Sequence, residues 1–167
     1  MKKNTLLILL FFIILVAGVS GVYLYNTHQA SLTARQAMIH QKGATVMPFN
    51  LNQTTHIFKK TDTGGIQEVV VKDANNTSQI SLIRMHLQME AQLFQKGDFQ
   101  DPAKLHGGNM PGLQALSNGA SQIKIVYEDV PNGGQITYTT SNTSLVTSIH
   151  TWFDAQLSDH GTDAMGM

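Results

Sequence analysis

One octapeptide pattern occurs twice, as His86-Leu-Gln-Met-Glu-Ala-Gln-Leu93 and as His150-Thr-Trp-Phe-Asp-Ala-Gln-Leu157. Each copy places a histidine one helical turn before a carboxylate and then closes on Ala-Gln-Leu. Each follows a stretch with hairpin character and a Gly-Gly turn, Gly64-Gly65 in the first half and Gly133-Gly134 in the second. A repeated order of hairpin and helix is the signature of a duplicated ββα unit. Two such units predict an α+β domain: a four-stranded antiparallel sheet with both helices on one face, related by a pseudo-twofold axis. In that arrangement His86 and His150 approach each other or sit symmetrically about the axis.

The first 25 residues stand apart from this pattern. Lys2 and Lys3 precede an uncharged, almost wholly apolar run from Leu6 to Tyr25, and about 20 such residues suffice to cross a bilayer. Basic residues at the start predict a single-pass helix in the inner (cytoplasmic) membrane, N-terminus inside, with the remainder periplasmic or otherwise extracytoplasmic. Val19-Ser-Gly21 also allows a cleaved signal peptide. Because Val22 to Tyr25 extend the apolar run and place aromatics at the interface, a retained anchor is expected.

Beyond the anchor, residues 26–53 are polar and interrupted by Gly43 and Pro48, which predicts a stalk in which His28, Met38, His40 and Met47 are solvated. The domain is expected over 54–161. Its first hairpin comprises residues 54–72 and leads into a helix from about Ser78 to Gln95, with Asn75, Asn76 and Thr77 as candidate caps and Gly97 as its end. On that helix His86 and Glu90 fall within the apolar arc. A lone carboxylate there is costly, so Glu90 is expected to pair with His86. A shaped Gly/Pro-rich segment, residues 97–112, carries His106 and Met110. The second hairpin, around Pro131-Asn-Gly-Gly134, precedes a helix whose apolar arc holds Trp152 and Phe153, with His150 and Asp154 at its edge. His160 reads as a cation interacting with the helix dipole, and residues 162–167 as a flexible tail.

Eleven basic and eleven acidic residues cancel, and no basic run supplies the electrostatic footprint of a nucleic-acid binder. The chain has no cysteine, so disulfides, thiolate ligands and cysteine nucleophiles are excluded together. What remains is a set of histidines, carboxylates and methionines. A His/carboxylate pair at i, i+4 shares one helix face, and two such pairs with His106 and Met110 offer nitrogen, oxygen and thioether donors. Thioethers from Met110, Met85 or Met89 favour copper. The candidate metal residues are therefore His86, His106, His150, Met110, Glu90 and Asp154. The alternatives are an envelope module that binds a protein partner and whose histidines are structural, or an enzyme using a His/acid pair. The sequence contains no GxSxG, P-loop or GxGxxG motif, so it leans away from catalysis.

Several runs resemble an uncharacterised group of small exported or membrane-anchored bacterial proteins. They are Leu82-Ile-Arg-Met-His-Leu87, Leu105-His-Gly107 with Met110-Pro-Gly-Leu113, and Ile149-His-Thr-Trp-Phe-Asp-Ala-Gln-Leu-Ser-Asp-His-Gly161. The resemblance implies a shared domain and a shared His/Met constellation. Some members of the group carry the label aspartate carbamoyltransferase. That activity is not expected of this chain, which lacks the Ser/Thr/Arg-rich carbamoyl-phosphate motifs and after Arg84 holds only Lys96, Lys104 and Lys124 as basic residues.

Overall fold

The computed structural model describes residues 2–167; the side chains of residues 2–6 and 9 lie outside the described residues, and with them the Lys2 and Lys3 charges on which the expected orientation rests. The chain divides into two units, residues 1–35 and 36–167. The first is helical. It belongs to α1, Lys2–Gly43, a helix long and apolar enough to cross a membrane.

The second unit is α+β. Its strands are β1 (Thr54–Thr61), β2 (Gly64–Val71), β3 (Lys124–Val130), β4 (Gly133–Thr139) and β5 (Ala164–Gly166). Its helices are α2 (Thr77–Gln95), α3 (Gln100–His106), α4 (Leu113–Gly119) and α5 (Thr143–His160). The sheet order is β3-β4-β2-β1-β5. The four long strands pair antiparallel, but β5 joins β1 in parallel, aligning His56 with Ala164 and Phe58 with Gly166. The sheet is thus five-stranded and mixed, where four antiparallel strands were expected. The last residues are correspondingly not a loose tail: Met167 donates its backbone N–H to the Phe58 carbonyl.

Strand alternation explains the core. His56 pairs with Val69, Val69 with Gly134, and Gln67 with both Phe58 and Ile136, so these residues share one face. That face meets α2 over β3 and β4, and α5 over β1 and β2. Trp152, Phe153, Ile149 and Ile83 are fully buried against it. Of the candidate caps, asparagines start both long helices: Asn76 accepts from the Gln79 N–H, and Asn142 from those of Ser144 and Leu145.

The Gly-Gly pairs do not make the turns. Asp62-Thr63 and Pro131-Asn132 turn the chain, and the glycines open the returning strands. A Cβ on Gly64 would lie 2.1 Å from the Tyr138 carbonyl oxygen, and one on Gly133 would lie 1.9 Å from that of Val69. These glycines let β2 and β4 approach each other where the two hairpins join.

Residues from Gln36 onward also belong to the folded unit, not to a stalk. Ile39 is fully buried, Gln36 donates to the Ser158 carbonyl at 2.9 Å, and the His40 imidazole pairs with Asp163. Met47 and Phe49 follow as buried residues on the way to β1.

Candidate functional site

Side chains from six segments converge on a narrow cavity of about 50 Å³. β1 contributes His56 through the inward phase of its alternation, Thr54-His56-Phe58. From α2 come His86 and Glu90, from α3 Asp101 and His106, and from α5 Trp152, Gln156 and His160. The segment after α1 adds Met47 and Phe49, and β2 adds Gln67. Those three α5 positions lie four residues apart and form one stripe along the helix.

The imidazoles are close neighbours. The His56 and His160 rings stack with centroids 4.7 Å apart, and His106 meets His160 edge-on at 5.0 Å. Phe49 packs on His56 at 5.8 Å and on His86 at 5.7 Å. His106 Nδ1 lies 2.9 Å from Asp159 Oδ2, and both side chains are nearly inaccessible. That contact fixes the ring and leaves its Nε2 directed away from the carboxylate.

Burial decides the protonation states. It lowers His56 to about 4, outweighing the Asp163 contacts that raise it, and it lowers His86. His160 falls well below its ordinary value through burial and the neighbouring imidazoles. These rings are therefore uncharged at neutral pH, and His160 is not the helix-end cation its position suggested. Burial also raises Glu90 to about 8, with further contributions from the Asp101 charge and the hydrogen bond between the two carboxyls. The partner of Glu90 is thus Asp101, not His86. Two carboxyls that hydrogen-bond need a proton between them, and Glu90 holds it. Lys104, 2.9 Å away, stabilises the Asp101 charge.

Several polar atoms here have no hydrogen-bond partner among the described residues. They are Nδ1 of His56, His86 and His160, Oε1 of Glu90 and Gln156, and Nε1 of Trp152. All six residues line the one cavity. A buried unsatisfied polar group costs about 1–3 kcal/mol, so six together demand a reason. Comparison of the chain with protein-family models, with curated proteins and with solved structures finds no match. The site's meaning therefore rests on its own chemistry.

Of the six expected metal residues, the fold brings together His86, His106 and Glu90. His150 lies elsewhere: its Nε2–H is shared between the carbonyls of Thr61, at 3.0 Å, and Gly64, at 2.9 Å. Only two residues before Trp152, it stands about 200° away around α5, on another flank. Asp154 is exposed and pairs with Lys60. Met110 is buried beside a separate surface groove, and Met85 and Met89 are exposed. In their place stand His56, His160 and Met47. The first two had a signal, the inward phase of a strand and a four-residue stripe with Trp152. Met47 had none, because a polar segment gives no period to read. Among the described residues no three His, Asp or Glu side chains are gathered as a ready ligand group.

Proposed function

We propose that this is a membrane-anchored extracytoplasmic protein that binds a transition metal, copper foremost, in the histidine cavity. The reading is carried by three buried imidazoles whose Nδ1 atoms lack partners and line one small cavity. A neutral imidazole with a free lone pair is what a borderline or soft metal ligates, and it binds without first releasing a proton. His106, oriented by Asp159, adds the carboxylate–histidine arrangement that sets the tautomer of metal-bound histidines. The space admits an ion with a water molecule or two and little more.

The ligands in this reading come from His56, His86, His106 and His160, and His150 is a fastening of the first hairpin. Metal titration of the full chain in lipid nanodiscs, followed by calorimetry, tests it. His86→Ala and His106→Ala should each weaken binding at least tenfold, while His150→Ala leaves the affinity unchanged. Equal affinities across all three variants would reject the cavity as the site. The N-in orientation is tested separately, by protease accessibility of the domain in intact spheroplasts; cleavage only after lysis would reverse it.

A further inference from the structure

We infer that the cavity takes copper as the monovalent ion in preference to any divalent one; this rests on the metal reading above and names the ion. The donors it presents are uncharged. Imidazoles of His56, His86 and His160 face it, and Met47 supplies a buried thioether on its wall. Thioether and imidazole together suit soft copper(I).

Negative charge for a second positive charge is not at hand. Glu90 and Asp101 hydrogen-bond each other, Asp101 also holds Lys104, and Asp159 holds His106. A divalent ion in this buried space would carry charge that these committed carboxylates do not balance, which is costly in a low-dielectric site. Ring geometry points the same way. The His56 and His160 rings stack within 19° of parallel, so the two cannot both aim an in-plane lone pair at one ion. The four histidines therefore cannot all close the tetrahedron that zinc asks for around one ion. A filled-shell monovalent ion needs only two or three donors, such as one imidazole of this pair with His86 and Met47.

Competition experiments on the full chain in nanodiscs test this. Under anaerobic conditions a chromophoric copper(I) chelator reports copper(I) affinity, silver(I) serves as a redox-inert surrogate, and zinc(II) and copper(II) are titrated in parallel. The expected result is copper(I) and silver(I) at least a hundredfold tighter than zinc(II) and copper(II). Met47→Leu, close in size, should weaken the monovalent ions about tenfold, leave zinc(II) unchanged, and keep the wild-type unfolding midpoint. Tighter zinc(II) or copper(II) binding that is still lost in His106→Ala overturns this inference while the metal reading stands. No binding of any ion overturns both.

Discussion

Glu90 and His56 show at single-residue scale how burial sets the pH response. Glu90 keeps its proton up to about pH 8 in the folded protein, whereas the unfolded chain releases it near the ordinary value of 4.5. Across that window the folded state binds more protons, so stability falls as pH rises and levels off above pH 8. His56, lowered to about 4, acts in the opposite sense. Between 6.5 and 4 the unfolded chain takes up a proton that the folded one refuses, so stability falls as pH drops. Urea unfolding between pH 6 and 8 should therefore show a loss approaching about 1.4 kcal/mol per pH unit, absent in Glu90→Gln. An equal slope in that variant would mean that Glu90 is already ionised. His150→Ala should cost about 1 kcal/mol, because its N–H ties the β1–β2 turn to α5.

At the scale of elements, the two hairpins meet by close backbone approach of β2 and β4, with Tyr138 also donating to Gln67 across the seam. Gly133→Ala forces a methyl against the Val69 carbonyl and should destabilise by about 1–3 kcal/mol, while Gly108→Ala, with open space around its Cβ, should stay within about 0.5 kcal/mol. Chemical denaturation of the pair checks this, and equal midpoints would contradict it. Removing residues 164–167 should lower stability by about 1–2 kcal/mol, because it strips the parallel partner from β1. The order of hairpins and long helices was legible in the sequence, since alternation, Asn caps and Gly stops are local signals. β5 was not, because three residues after a helix carry no period and their pairing is set by where β1 already lies. Nor was the work of the Gly-Gly pairs, which depends on a strand from the other hairpin.

For the whole molecule, the first copy of the octapeptide lines the cavity through His86 and Glu90, while the His150 and Asp154 of the second copy lie away from it. Matching positions of α2 and α5 do not present matching side chains: the cavity takes His86 and Glu90 from one helix but Trp152, Gln156 and His160 from the other. Sequence spacing reports which residues share a helix face, not which flank tertiary packing turns inward. His86, His106 and Glu90 were therefore legible as candidates that come to line one cavity, and the places of His56, His160 and Met47 beside them had to wait for the fold to bring β1, the end of α5 and the segment after α1 together. The most direct test is a silver(I) titration of the nanodisc-embedded chain watched by the ¹⁵N resonances of its imidazoles. The account predicts large shifts for His56, His86, His106 or His160 and none for His150. Shifts confined to His150 or His28, or no shifts at any histidine, would contradict it.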